Sequence, residues 1–287
     1  MGILNVTPDS FSDGGKWCGL ATAVEHGMRL VEEGADIVDV GGESSRPGAK
    51  EISQEEELRR VLPVVKELAA RGAKVSVDTR RAEVARQALD AGARVINDIT
   101  AGADPDMFKV VRDTAAGMVL MRGWNAKPPV GMERVCLSLT RRIKAAFRQN
   151  QPPLSWQPEI ARNAFLYLSQ RMKAALAAGI ARKALLIDPG VGFSNDADED
   201  VGLLFWSPQL SDIAPMVIGV SRKRFLGALS GETDPAKRMP ASLAAALFTV
   251  AFNGSAKILR VHDVAETVQA LKVFKALSTY KIPKKQK

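Results

Sequence analysis

Residues able to hold a charged ligand recur at one kind of place in this chain, the end of a short apolar run. Ile3-Leu4 stops at Asn5, and Ile37-Val38-Asp39-Val40 stops at Gly41-Gly42-Glu43-Ser44-Ser45-Arg46. Val75-Ser76-Val77 stops at Asp78, Val95-Ile96 at Asn97-Asp98, and Leu185-Leu186-Ile187 at Asp188. Val217-Ile218-Gly219-Val220 stops at Ser221-Arg222-Lys223, and Ile258-Leu259 at Arg260-Val261-His262-Asp263. A barrel of parallel strands would gather all these ends on one rim, where such barrels carry out their chemistry.

The residue types suggest what that chemistry handles. Asp78 and Asp188 each close an apolar run, so each is expected to be partly desolvated, which is costly for a carboxylate without a partner. A structural ion pair or a helix cap would account for either one alone. Two such carboxylates with Asn97 around one cavity favour a donor-rich heterocycle. Lys223, Arg260 and His262 suit a phosphate or pyrophosphate, and the last two strand-to-helix loops are a frequent phosphate site in barrels. His262 lies two residues after Arg260, so an extended segment would project both the same way. In the segment from Gly2 to Gly15, Asn5, Asp9 and Asp13 offer hard oxygen ligands suited to Mg²⁺ beside a phosphate, although a plain surface turn would share this composition. In Asp39 to Gly48 the glycines permit close backbone approach and Arg46 can grip an anion in a fork. Arg-Pro-Gly is also an ordinary turn sequence. His26 falls on a predicted helix with no partner in sequence and reads as an ordinary helix residue.

The elements that must position these residues follow from pattern. Eight strands are predicted at about 2–5, 36–40, 74–78, 94–98, 117–121, 184–188, 215–220 and 256–260. Helical stretches separate them. Ser53-Gln54-Glu55-Glu56 has the form of a capping box, and Leu58, Val61, Leu62, Val65 and Leu68 keep helical spacing behind it. Gly34, Gly72, Gly92, Gly179 and Gly254 stand where helices should close. Eight strand–helix alternations predict an α/β fold of the (β/α)8 TIM-barrel type, with an open doubly wound sheet as the alternative. No Gly-x-Gly-x-x-Gly follows a strand, so nothing favours a dinucleotide. Residues 122–160 form a long basic connection between strands five and six, read as an enlarged loop plus helix. The barrel is taken as 1–280, a single domain, with 281–287 as a basic tail.

Composition bounds the function class. The 287 residues are 46% hydrophobic and 25% charged, the range of a globular domain. No apolar run approaches the roughly 18–20 residues of a membrane span. Met1 leads straight into a strand, so no signal peptide is expected, and no membrane partner. Cys18 and Cys136 are too few for a disulfide framework, which fits a reduced, cytoplasmic setting. Net charge is +8, but Lys281, Lys284, Lys285 and Lys287 crowd into the tail. Two tyrosines and no basic–aromatic repeat argue against nucleic acid, whereas moderate positive charge suits a small anionic substrate.

Together these segments resemble the dihydropteroate synthase family, folate-pathway transferases that sulfonamides inhibit. The resemblance spans almost the whole chain and rests on GILNVTPDSFSDGG (2–15), DVGGESSRPGA (39–49), VSVDTR (75–80), VINDI (95–99), LLIDPGVGF (185–193), GVSRKRFLG (219–227) and ILRVHDVAETV (258–268). It implies a (β/α)8 barrel that joins 6-hydroxymethyl-7,8-dihydropterin pyrophosphate to 4-aminobenzoate, giving 7,8-dihydropteroate and pyrophosphate. Pyrophosphate would leave early and the aromatic amine would then attack. The resemblance also implies roles. Asp78, Asn97, Asp188 and Lys223 would line the pterin pocket. Asn5, Ser45, Arg46, Arg260 and His262 would meet the pyrophosphate, with Asn5 and Asp13 as Mg²⁺ ligands. Phe11, Pro47, Lys223 and Arg224 would form the aminobenzoate site, with Asp78, Lys223, Arg260 and His262 carrying the catalytic burden. A homodimer is implied as well. Barrels that bind methyltetrahydrofolate for corrinoid methyltransferases share the fold but not the full motif set, and a pterin-binding barrel without turnover is a further alternative.

The chain departs from the family pattern in places. Ser44-Ser45-Arg46-Pro47 replaces Ser-Thr-Arg-Pro, and Arg224 stands where a serine is usual. Strand five ends Leu120-Met121-Arg122-Gly123 in place of a Met-His-Met ending. After Phe193 the usual Gly-Lys gives way to Ser194-Asn195 and the acidic run Asp196-Ala197-Asp198-Glu199-Asp200.

Overall fold

Aliphatic and β-branched runs of four or five residues, too short for buried helices, become strands, and the longer amphipathic stretches between them become helices. The computed structural model describes residues 1–6, 16–44, 50–123, 126, 159–194, 196–251 and 256–280. In chain order these hold β1 (Gly2–Asn5), α1 (Lys16–Glu32), β2 (Val38–Gly41), α2 (Gln54–Ala70), β3 (Val75–Asp78), α3 (Ala82–Asp90), β4 (Val95–Asp98), α4 (Met107–Thr114) and β5 (Gly117–Met121). There follow α5 (Glu159–Ala177), β6 (Leu185–Asp188), α6 (Ala197–Leu210), β7 (Met216–Ile218), α7 (Arg224–Ser230), α8 (Met239–Ala251), β8 (Ala256–Leu259) and α9 (Val264–Ser278). The strands lie in sequence order, each parallel to the next. The ring closes where Val261 bridges Gly2, with Ile3 N donating to Val261 O at 2.9 Å and Val261 N to Met1 O at 3.0 Å. Closure rules out the open doubly wound sheet. Among the described residues no helix is long and apolar enough to cross a membrane.

Inside the ring, alternate strands supply alternate layers of side chains. Ile37, Val95, Leu186 and Ile258, from the segments of β2, β4, β6 and β8, pack with Met1, Val119 and Val217 as an inner apolar plug. Two residues further on, the same four segments turn polar: Asp39, Asn97, Asp188 and Arg260. The larger core lies between strands and helices, and includes Leu4, Val61, Val65, Leu68, Ile96 and Leu120.

Local signals behave in instructive ways. Ser53 caps α2 by accepting from Glu56 N at 3.2 Å, but the Glu56 carboxylate turns to Arg59 and Arg60, so no reciprocal bond from Glu56 to the Ser53 amide accompanies the cap. The α2 core face includes a fully buried acid, Glu57, paired with Arg81. Gly34, Gly72, Gly92 and Gly179 take positive φ at helix ends, and Gly254 lies outside the described residues. Strand seven is shorter than expected, Met216–Ile218, and its pairing with β8 shifts register between Met216 and Val217.

Two left-handed glycines should separate conformational cost from crowding. A Cβ at Gly72 (φ +85°) meets nothing within 4 Å, so Gly72→Ala should cost about 1–2 kcal/mol for the backbone alone. At Gly190 (φ +75°) a Cβ would lie 1.8 Å from the Arg122 carbonyl oxygen. Gly190→Ala is expected to cost about 1–3 kcal/mol more in urea unfolding, and equal losses would show that this turn relaxes freely.

Candidate active site

The polar inner layer opens into a cleft at the C-terminal mouth of the barrel, lined by Asp78, Asn97, Ile99, Met121, Asp188, Val191, Phe193, Gly219, Lys223 and Arg260. Charged and apolar side chains line it together, the combination that orients a flat polar ring. Five residues expected from sequence to bind ligand are therefore brought together: Asp78, Asn97, Asp188, Lys223 and Arg260.

Arg260 organises the floor. Its Nε donates to Asp39 Oδ2 at 2.6 Å and its Nη2 to Asp78 Oδ2 at 2.8 Å. Asp39 Oδ2 also accepts from Asn97 Nδ2 at 3.1 Å. Burial works against the charge on Arg260, yet Asp39 and Asp78 outweigh it and raise its pKa. Burial pushes the Asp78 carboxyl up as well, opposed by Arg260. The Asn97 Oδ1 accepts no hydrogen bond although it is buried, and buried polar atoms are seldom left so. An acceptor in that position suits a ligand rich in N–H groups.

Asp188 and Lys223 line the same cleft. Asp188 Oδ1 accepts from Gly190 N at 2.8 Å. Burial raises the Asp188 carboxyl to about 6, against the pull of that N–H and of Lys223. Burial lowers the Lys223 ammonium to about 8, with Asp188 opposing. Lys223 Nζ stands 4.0 Å from the centroid of the Phe193 ring, so the cation lies against an aromatic face. The loop that carries Phe193 is held by Asp200, whose Oδ1 accepts from Gly192 N at 2.7 Å. Here the acidic run finds its use: Asp196 caps α6 by accepting from Glu199 N, and Asp198 and Glu199 occupy the first turn, where the helix dipole favours negative charge. At strand five, Met121 forms the pocket wall, while Arg122 is buried and feels Glu199 and Asp200.

Other expected residues stand elsewhere. Asn5 is exposed at the end of β1, and a Cβ on neighbouring Gly41 would sit 3.7 Å from Asn5 Oδ1 and 3.6 Å from Asp78 Cβ, which puts Asn5 on the rim. His262 does not line the cleft. Its N donates to Ser221 Oγ at 3.2 Å and its Nδ1 lies 3.0 Å from the same oxygen. Strand-type pairing runs on through Val261, and the contact with Ser221 accounts for where the His262 ring is held. Arg224, expected near the aminobenzoate, is exposed at the start of α7 while Phe225 and Leu226 are buried, and it is not among the residues that line the cleft. Phe11, Asp13, Ser45, Arg46 and Pro47 lie outside the described residues. His26 is exposed on α1.

Sequence reasoning missed Asp39, which it took as part of an apolar run. The available signal was an acid two residues before a strand end, on the inward face. It also missed the brace beside that strand. Glu43 accepts from Ile52 N at 3.1 Å and from Arg81 Nη1 at 3.0 Å, and Arg81 Nη2 donates to Ile52 O at 2.7 Å.

Comparison with known proteins gives a consistent result. The family described as "Pterin binding enzyme" matches residues 1–262. Dihydropteroate synthase of Mycobacterium leprae is 42% identical over 278 residues, covering 95% of this chain and 91% of the relative. Xanthomonas albilineans dihydropteroate synthase with 4-aminobenzoic acid superposes with TM-score 0.83 at 41% identity, covering 98% of this chain and 93% of that one. The same enzyme in complex with 7,8-dihydropteroate gives 0.80 at 40% identity, with 98% and 94% covered. The Yersinia pestis enzyme with a pterine-sulfa conjugate gives 0.77 at 33%, with 98% and 93% covered.

The raised Asp188 carboxyl has a thermodynamic consequence. Its folded pKa of about 6 lies above the ordinary 3.8, so its contribution to stability is full below the unfolded value and is lost as pH rises through the folded one. Between about pH 4 and pH 7, wild-type unfolding free energy should fall by about 3 kcal/mol relative to Asp188→Asn. Parallel curves for the two proteins in urea titrations would refute the assignment.

Proposed function

Since this chain belongs to the dihydropteroate synthase family of pterin-binding enzymes, we propose a division of labour among its pocket residues for the transfer that family performs. The protein is a transferase that joins 6-hydroxymethyl-7,8-dihydropterin pyrophosphate to 4-aminobenzoate, forming 7,8-dihydropteroate and releasing pyrophosphate. The observation that carries the division of labour is the convergence of Asp188, Asn97 and Lys223 on one cleft that Ile99, Met121 and Phe193 also line.

In this scheme the pterin lies between Ile99, Met121 and Phe193. Ionised Asp188 accepts from its amino group and a ring N–H. Asn97 Oδ1 accepts a further N–H, and Lys223 donates to the ring carbonyl or a ring nitrogen. The C–O bond to pyrophosphate then breaks, and its electron pair leaves with the pyrophosphate. Positive charge spreads into the ring, where Asp78 and Asp188 stabilise it. The aminobenzoate nitrogen supplies the pair for the new C–N bond and gives up a proton. Lys223 and the described Phe193 flank that amine, with Phe11 and Pro47 completing its site. Arg46, Ser45 and His262 hold the departing anion. Two of the three Arg260 nitrogens are committed to Asp39 and Asp78, so this guanidinium meets the anion in a fixed orientation. Sulfonamides compete as mimics of 4-aminobenzoate.

Mg²⁺ fits the donor set. Among the described residues no group of three or more His, Cys, Asp or Glu could hold a metal by itself. Asn5 on the rim is a single hard oxygen donor, and Mg²⁺ commonly takes one or two protein ligands and completes its shell with phosphate and water. Asn5 would hold the ion, with Asp13 as the second candidate, and the bound ion would offset charge on the leaving pyrophosphate. A cytoplasmic homodimer completes the proposal.

Pyrophosphate release from the pterin substrate, with and without 4-aminobenzoate, tests the scheme. Release should rise with aminobenzoate, yield dihydropteroate and stop on chelation of Mg²⁺. Lys223→Met should lower kcat/KM by about 10²–10³-fold. Tight pterin binding with no aminobenzoate-dependent release would instead identify a pterin-binding barrel without turnover.

A further inference from the structure

Between the pocket lysine and the serine that meets His262 stands a residue in a conformation its type resists. Arg222 has φ +60°, in the left-handed region that Gly, Asn and Asp enter more readily than a long side chain does. Such a backbone persists only where its surroundings hold it, and it concentrates at functional sites.

The surroundings hold Arg222 from three sides. Its amide donates to Ser242 Oγ at 2.8 Å, and its carbonyl accepts from Arg238 Nη1 at 3.3 Å. Ser242 Oγ in turn donates to Arg238 O at 2.7 Å, so the two anchors are themselves linked. The guanidinium makes a two-pronged contact with Asp263, Nε to Oδ2 at 3.1 Å and Nη2 to Oδ1. Asp263 occupies the N-cap position of α9, a place where aspartate ordinarily caps the helix, yet it makes no side-chain cap bond. Both of its oxygens serve Arg222 instead.

The pair spans 41 residues of sequence and ties the turn after β7 to the turn after β8. Each turn carries groups of the site. On one side Ser221 Oγ meets His262; on the other Lys223 enters the cleft. We infer that Arg222 and Asp263 form a clamp that sets where Lys223 and His262 stand, making both positioning residues for the transfer. Neither needs to touch a substrate. The inference rests on the function proposed above for Lys223 and His262.

Three variants test it. Arg222→Gly keeps the left-handed turn without steric cost and removes the side chain with its guanidinium. Asp263→Asn keeps the shape and removes the charge. Arg222→Asp combined with Asp263→Arg reverses the pair, and aspartate tolerates this backbone. Each single change should lower kcat/KM roughly a hundredfold, the penalty of displacing reacting groups by about an ångström, and should raise the pterin pyrophosphate KM. The reversed pair should recover most of both. Wild-type kinetics in Arg222→Gly would overturn the clamp, as would a reversed pair no better than the single changes. If Arg222→Gly fails to fold, Asp263→Asn decides by the same criterion. A wild-type protein that makes no dihydropteroate sinks the functional proposal, whereas an active wild type with an equally active Arg222→Gly sinks only the clamp.

Discussion

A guanidinium held inside a barrel must be neutralised where it stands, and much of this site follows from that requirement. Arg260 has 17% side-chain exposure, and Asp39, one of its partners, has none. Removing one partner from such a group leaves a charge with no solvent to spread into, which costs far more than the net worth of the pair. Asp39 and Asp78 therefore enter the floor together with Arg260. Asn97 is drawn in by its bond to Asp39, and the apolar plug of Val95, Leu186 and Ile258 keeps water from below. The burial that makes these charges costly to leave unpaired also strengthens their interactions, since low local polarisability amplifies each of them.

That arrangement demands rigid turns, and the chain builds them from charges placed one shell out. Asp200 holds the amide of Gly192, Glu43 and Arg81 hold Ile52, and Arg238 gathers the carbonyls of Glu232, Thr233 and Arg222. In each case a long or acidic side chain bonds to backbone, which fixes a turn more firmly than side chains meeting in solvent. The acidic run after Phe193 belongs to this class. It looks like a departure from the family pattern, yet its charges cap and start α6 and brace the loop that carries the ring beside Lys223.

Much of this was legible because strand ends in a parallel barrel share a rim. Asp78, Asn97, Asp188, Lys223 and Arg260 could be grouped from the residues that terminate apolar runs. What escaped did so for physical reasons. Asp39 sits among Ile37, Val38 and Val40, so local composition hides it. Only the inward parity it shares with Ile37 marks it. The left-handed turn at Arg222 is imposed by Ser242, Arg238 and Asp263, all distant in sequence, and nothing in Ser221-Arg222-Lys223 announces it. Parity could not reveal the contact of His262 with Ser221, a residue 41 positions away. Arg224 turned out to face solvent because its helix buries the next two residues instead.

The ring is completed where Val261 meets Gly2, and Arg260 is the residue just before that seam. Its partner Asp39 lies 221 positions away. During synthesis, the first seven strands can emerge and begin to pack while Asp39 and Asp78 still lack their cation. The charge balance of the cleft is set by the last strand to arrive. A barrel that turns over substrate is therefore one whose final strand has docked in register.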